Sequence, residues 1–176
     1  MSSNPRIVIT GAPGTGKSTV LDLLAQENFR VLPEMARQLI AEQQVIEGSQ
    51  MLPWLDHPSF GEELFKRQVK QYHLADQETT FYDRGILDNL AYLRRDGHRN
   101  LSLEEQAKVY PYHPKVFLMP PWQEIYGKDE VRWEDLDLML DIDRALREIY
   151  SDFGYEVLEV PKNSPKERLN FILKNL

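Results

Sequence analysis

The chain has 176 residues and a formal net charge of −7, with 41% hydrophobic and 28% charged residues. These values predict one globular domain and do not favour a nucleic-acid-binding surface, which usually needs a basic patch. Without cysteine, disulfides and cysteine-based zinc sites are excluded, and without a signal-like start or an apolar run near ~18 residues we expect a cytoplasmic protein that contacts no membrane.

The first predicted elements flank a glycine-rich loop. A short apolar run at residues 7–9 predicts a buried strand, and residues 16–27 have helical spacing. Between them, residues 11–18 read GAPGTGKS, which has the spacing of the phosphate-binding loop of P-loop NTPases. Glycines let successive backbone N–H groups face phosphate oxygens, and the start of the helix adds positive potential. The predicted nucleotide-binding residues of the loop are Gly11, Ala12, Pro13, Gly14, Thr15, Gly16, Lys17, Ser18 and Thr19.

Two side chains of the loop have predicted roles. Lys17 supplies a positive charge to the β- and γ-phosphates, and Ser18 supplies a hydroxyl ligand for Mg²⁺. The alternative, a glycine-rich turn with a surface lysine, is disfavoured by the flanking strand and helix. Because the guanine-reading Asn-Lys-x-Asp motif does not occur in the chain, we predict that ATP and Mg²⁺ are bound.

Strands and helices alternate along the rest of the chain. The predicted strands are residues 29–32, 79–82, 116–119 and 156–160, and the predicted helices are residues 34–47, 60–77, 86–95, a short helix capped by Ser102, residues 134–153, and a helix capped by Ser164 that reaches residue 176. This alternation predicts a parallel α/β sheet with helices on both faces. Residues 49–59 are predicted to be an apolar loop that folds against the core or a ligand.

Charged side chains follow the second and third predicted strands, at the sheet edge where such folds bind ligands. Asp83 is predicted to bind Mg²⁺, through water, and Arg84 to neutralise the transferred phosphoryl group. The alternative is an Asp–Arg pair that serves only as an ion pair or helix cap. Glu34 is predicted as a general base, and the alternative is a charge that favours the helix dipole.

A charged segment at residues 126–132 precedes the long helix. A mobile lid that carries Arg132 would close over the phosphates and expel water. Lys128 competes with Arg132 for this role, and a solvated charge run is the alternative for either residue. The four histidines lack metal-ligand spacing.

Together with the loop, four short motifs at residues 33–37, 52–54, 82–85 and 91–93 resemble one family. It is the small AAA-type P-loop ATPase/kinase domain family that includes the ribosylnicotinamide kinase domain of NadR, and more distantly the nucleoside and nucleotide kinases. The resemblance covers nearly the whole chain and implies a three-layer P-loop NTPase fold with strand order 2-3-1-4-5. It implies one domain over residues 1–176, with a lid at about 120–133.

The same resemblance implies roles for particular residues. Glu34 matches the base after strand two, the pair Asp83 and Arg84 the acidic–arginine pair after strand three, and Arg132 the lid arginine. Lys162, after strand five, falls where such kinases hold adenine. These residues would form the donor half of a kinase-like site.

The leading functional hypothesis is a kinase that transfers the γ-phosphoryl group of ATP-Mg to a hydroxyl of a nucleoside-like small molecule. The residues predicted to line the acceptor pocket are Trp54, Asp56, Arg67, Gln68 and Tyr72, for which ordinary packing is the alternative. The competing hypotheses are a nucleotide-dependent ATPase or GTPase switch without an acceptor, and an ATPase component of a phage-defence or toxin system. The expected partners are a nucleotide and a small-molecule acceptor, and a homodimer stays open.

Overall fold

The computed structural model describes residues 5–75, 78–122 and 133–176. Among these residues, five strands form one parallel sheet in the order β2-β3-β1-β4-β5. The strands are β1 (Arg6–Gly11), β2 (Arg30–Leu32), β3 (Thr80–Asp83), β4 (Lys115–Met119) and β5 (Glu156–Glu159). The predicted fold class and strand order are therefore confirmed.

Helices connect the successive strands, because parallel strands need crossover connections. They are α1 (Lys17–Gln26), α2 (Met35–Gln44), α3 (His57–Tyr72), α4 (Ile86–Arg95), α5 (Leu101–Ala107), α6 (Trp133–Asp152) and α7 (Pro165–Lys174). None of the helices within the described residues is both long and apolar enough to span a membrane. The predicted extent of one domain over residues 1–176 stays a prediction, because most of the predicted lid, residues 123–132, lies outside the described part.

The two faces of the sheet are buried in separate apolar clusters, because successive side chains of a strand point to opposite faces. Ile7 and Ile9 of β1 pack in a cluster to which α1 and α7 contribute, whereas Val8 packs in a cluster to which α3, α4 and α6 contribute. Both faces of β1 are therefore buried, as expected for the central strand of a three-layer parallel sheet.

The start of α3 corrects one prediction. The helix begins at His57 instead of residue 60, so the predicted loop at residues 49–59 is too long. Asp56 caps the helix, because its carboxylate accepts a hydrogen bond from the backbone N–H of Ser59 at 3.1 Å. Pro58 fits in the first turn, where its missing N–H is not needed.

The end of α3 also differs from the predicted residue 77, because the helix ends at Tyr72. The Arg6 guanidinium donates hydrogen bonds to the carbonyl oxygens of Tyr72 and Ala75, at 3.1 and 2.6 Å. These contacts satisfy carbonyl groups that a continuing helix would have used.

Two predicted helix caps have different outcomes. The prediction that Ser102 caps α5 is wrong, because Asn100 accepts the hydrogen bond from the backbone N–H of Leu103. The predicted cap of α7 is confirmed, since Ser164 and Glu167 form a capping box. Both residue types suit the N-cap position, so the sequence pattern around α5 allowed either start.

Candidate active site

The glycine-rich loop joins β1 to α1 and has backbone geometry that requires glycine. Gly11 has φ of 144°, and a Cβ at this position would overlap the backbone oxygen of Met119 at the end of β4. Gly16 is the N-cap of α1 with φ of 80°, and no side chain caps this helix. The N–H groups of its first turn are therefore available to an anion, and the helix dipole favours one there.

Lys17 is the first residue of α1 and is only 7% exposed. Burial, more than the nearby Arg84 guanidinium, lowers the pKa of Lys17 from 10.5 to about 8, although Asp83 and Glu34 act in the opposite direction. Lys17 lines a cavity of about 310 Å³ that the glycine loop shares with Glu34, Arg37 and Arg84. This phosphate-side cavity brings together the loop and three residues from other elements.

Asp83 is the last residue of β3 and pairs in register with Ile9 of β1. Its Oδ1 atom is buried and has no hydrogen-bond partner among the described residues. Burial raises the pKa of Asp83 above its usual value, although the positive charge of Lys17 opposes this shift.

The residues at this position fit a magnesium ion. Mg²⁺ binds oxygen ligands and is commonly held by one or two protein groups together with substrate phosphates. The orphaned oxygen of Asp83 and the exposed hydroxyl of Ser18, beside Lys17, are ligands of this kind. A bound Mg²⁺ would supply charge neutralisation at the phosphates.

Arg84 connects the two acids that surround it. Its side chain is 8% exposed, and its guanidinium forms ion pairs with Glu34 at 3.2 Å and Asp88 at 3.3 Å. The guanidinium carbon also lies 5.6 Å from the centre of the Tyr92 ring. The backbone of Arg84 is left-handed, with φ of 69°, and its N–H donates to the carbonyl oxygen of Ile9 at 3.1 Å. A strained backbone that is held this firmly is a frequent feature of functional sites.

Asp88, in the first turn of α4, is a site residue that the sequence analysis missed. The carboxylate is 1% exposed and accepts hydrogen bonds from the backbone N–H of Gly85 at 2.9 Å, the Tyr150 hydroxyl at 2.6 Å and the Thr10 hydroxyl. With the ion pair to Arg84, it joins β1, α4 and α6. The spacing of four between Arg84 and Asp88 was not a usable signal, because Arg84 lies before α4 with a left-handed backbone and the two residues do not share a helical face.

A second cavity of about 400 Å³ adjoins the phosphate-side cavity. Pro13, Glu34 and Arg84 line both cavities, so the two share a wall. The remaining lining residues, which come from α2, α3, α4 and the loop before α3, are Met35, Ala36, Ile40, Pro53, Trp54, His57, Phe60, Leu64, Gln68, Asp88, Asn89, Tyr92, Arg95 and Asp96.

Of the residues predicted to line an acceptor pocket, the structure places Trp54 and Gln68 in the wall of this second cavity. Asp56 caps α3 instead, and Arg67 forms ion pairs with Glu42 at 2.6 Å and with Glu63 at 3.0 Å. The other, Tyr72, is buried and its hydroxyl donates to the backbone oxygen of Pro111. For these last three, the packing alternative holds.

The remaining predicted site residues have different positions. Lys162 is exposed and follows β5 at the same sheet edge as the loop. Arg132 and its competitor Lys128 lie outside the described residues. Their roles stay predictions, as do those of Lys17, Ser18, Glu34, Asp83 and Arg84.

A parallel sheet of this strand order, with a glycine loop between β1 and α1 and cavities at the carboxyl ends of the strands, defines the P-loop NTPase fold of the kinase type. Among families, a model described as "AAA domain" matches residues 6–168. The chain belongs to this AAA domain family. Curated protein sequences give no match.

Solved structures show the same fold. Deoxyadenosine kinase from M. mycoides is 13% identical with a TM-score of 0.63, and 97% of each chain is covered. Shikimate kinase from Aquifex aeolicus is 17% identical with a TM-score of 0.57, and 97% of this chain and 94% of that chain are covered. The NadR protein in complex with NR is 15% identical with a TM-score of 0.63, and 90% of this chain but only 46% of that chain is covered. At these identities the likeness shows the fold alone.

Proposed function

We propose that the protein is a kinase that transfers the γ-phosphoryl group of ATP-Mg to a hydroxyl group of a nucleoside-like small molecule. The shared wall of the two cavities carries this proposal. Phosphoryl transfer requires that donor phosphate and acceptor hydroxyl meet in line, with little other covalent work for the protein. A glycine loop on one side of Glu34 and Arg84 and a cavity on the other support that arrangement.

The two charged residues of the shared wall suit complementary tasks. Glu34 is the N-cap of α2, its side chain is 18% exposed, and it can orient or deprotonate an acceptor hydroxyl that enters the second cavity. Arg84 can balance the negative charge of the transferred phosphoryl group, which spreads over three oxygens in the transition state. Lys17 would hold the β- and γ-phosphates, while Ser18 and Asp83 would hold the magnesium ion.

The lining of the second cavity supports a nucleoside-like acceptor. The apolar and aromatic side chains of Trp54, Phe60 and Tyr92 offer surfaces for a planar ring. The buried polar atoms of the lining without a hydrogen-bond partner among the described residues include the Oε1 acceptor of Gln68 and the Nη1 donor of Arg95. A base carries donors and acceptors of the kind that such atoms need as partners.

The test is acceptor-stimulated formation of ADP in a screen of nucleosides and other small alcohols. We expect ADP formation to depend on one acceptor, to vanish in Lys17→Ala and to fall by about 10²–10⁴ in Glu34→Gln, the usual range for a general base. Lys70→Ala and Glu62→Gln, which change exposed residues on α3, serve as matched controls and should keep full activity. ATP turnover that is equally fast without any acceptor would contradict the proposal and favour the switch.

A further inference from the structure

Arg168 of α7 is buried against the glycine-rich loop. Arg168 is 2% exposed, and its Nη2 atom donates a hydrogen bond to the backbone oxygen of Thr15 at 2.9 Å. The same atom lies 2.8 Å from the sulfur of Met119, and the guanidinium carbon is 5.8 Å from the centre of the Trp122 ring. This hydrogen bond joins the loop to a residue 153 positions further along the chain.

This guanidinium differs from the other buried arginine of the site. Arg84 is paired with two carboxylates, whereas no described carboxylate forms an ion pair with Arg168. Its Nε atom is buried and has no hydrogen-bond partner among the described residues. A buried cation without an acid is costly to desolvate, and burial accordingly lowers the pKa of Arg168 below its usual value.

The position of the hydrogen bond connects this charge to the phosphate side of the loop. The oxygen of Thr15 and the N–H of Gly16 belong to one planar peptide unit, and none of the described peptide bonds is cis. In a trans unit the C=O and N–H groups point in opposite directions. Gly16 lines the phosphate-side cavity, where its N–H is one of the uncapped groups at the start of α1.

We propose that Arg168 is a positioning residue for nucleotide phosphates, which acts through the Thr15–Gly16 peptide. By donating to the Thr15 oxygen it holds the peptide with its N–H towards the phosphate-side cavity and polarises that N–H, because linked hydrogen bonds strengthen one another. An anionic phosphate bound there also balances the charge of Arg168, which no described carboxylate pairs. The proposal rests on the proposed function only in that phosphates occupy the glycine loop.

A merely structural role predicts a different outcome, in which Arg168 anchors α7 to the loop and its loss destabilises the fold. Arg168→Met separates the two roles, since it keeps an unbranched apolar stem but removes the charge and the donors. If the charge acts on phosphate, the free protein should keep or gain thermal stability, because the cost of burying a cation that no described carboxylate pairs disappears. Affinity for ADP and for inorganic pyrophosphate should fall about tenfold, the scale of one charge-assisted hydrogen bond.

The experiment measures the Tm of the free protein and the Kd of ADP and of pyrophosphate by calorimetry, with Mg²⁺ present. Arg168→Lys, which keeps a charge and a donor, should recover most of the affinity. Lys166→Met, on an exposed position of the same helix, is the matched control and should change neither quantity. An Arg168→Met protein that loses stability but binds both probes like the wild type would overturn the inference.

The same data separate this inference from the proposed function. If the wild type binds ADP, loses affinity in Arg168→Met and shows no acceptor-dependent transfer, the kinase proposal fails and the role of Arg168 stands. If transfer to an acceptor occurs while Arg168→Met binds ADP as tightly as the wild type, the reverse is true. Wild-type protein that binds neither ADP nor pyrophosphate would refute both.

Discussion

Replacing Asp88 by asparagine tests whether one buried carboxylate organises the site. The change keeps the side-chain volume and one carbonyl oxygen but removes the charge that faces Arg84. It also removes one acceptor oxygen, either Oδ2, which accepts from both the Tyr150 hydroxyl and the Gly85 N–H, or Oδ1, which accepts from the Thr10 hydroxyl. Removing one partner of a buried ion pair commonly costs about 3–5 kcal/mol. Because asparagine retains part of the hydrogen bonding and Glu34 still pairs with Arg84, we expect a loss of about 2–3 kcal/mol.

Urea unfolding followed by circular dichroism measures this loss, and thermal melting provides a second measurement. For a chain of this length, each kcal/mol corresponds to roughly 2–4 °C in Tm, so Tm should fall by roughly 4–12 °C. Asp141→Asn is the matched control, because Asp141 is 56% exposed and pairs with Arg144 only across one helical turn. It should change the free energy of unfolding by less than about 0.5 kcal/mol. Equal effects of the two substitutions would refute the reasoning about Asp88.

Two further predictions concern the glycine-rich loop. The pKa of Lys17 lies near 8 in the folded protein and near 10.5 when exposed, so the unfolded chain binds more protons between these two pH values. The free energy of unfolding, relative to that of Lys17→Met, should therefore rise with pH in this range, by at most about 3 kcal/mol. Parallel urea titrations of the two proteins at pH 7 to 10 measure this, and a difference independent of pH would contradict it. Gly11→Ala should unfold the loop or abolish ADP binding in calorimetry, since its Cβ meets the backbone of Met119. Gly97→Ala, also at positive φ but with open space around it, should lower the free energy of unfolding by only about 1 kcal/mol. Equal losses in the two variants would show that the clash at Gly11 is relieved.

The loop and the sheet were predictable because their signals are local. The residues GAPGTGKS encode a turn between strand and helix, and short apolar runs alternate with helical spacing through the rest of the chain. The strand order rested on the family resemblance, because no local pattern states which parallel strands are neighbours.

The supports of the site were not predictable in this way. Asp88 depends on Thr10 and Tyr150, which lie 78 and 62 positions away, and only the folded chain brings them together. Arg168 is a basic residue that follows three exposed positions of α7, residues 165–167, and a charged stretch of this kind is typical of a solvated face. Such residues act through burial and tertiary contacts, which sequence spacing does not reveal.

The acceptor side shows a related limit on α3. Gln68 lines the second cavity, while its neighbour Arg67 reaches Glu42 on α2. Successive residues of a helix are separated by about 100° around its axis. A shift of one position therefore decides whether a polar side chain meets a ligand or a neighbouring helix, and the rotation of α3 is set by its packing.

The pairing of Arg84 with two acids has a consequence for how quickly a nucleotide can arrive. Among the described residues around the glycine loop, the cations Lys17, Arg37 and Arg84 are balanced by the carboxylates Glu34, Asp83 and Asp88. Arg168 adds one buried positive charge behind the loop, but the whole chain is acidic. The described part of the site therefore offers an incoming polyanion little long-range attraction. We expect association of ADP to be slow compared with steered encounters and to depend weakly on ionic strength, which stopped-flow measurements at several salt concentrations would show.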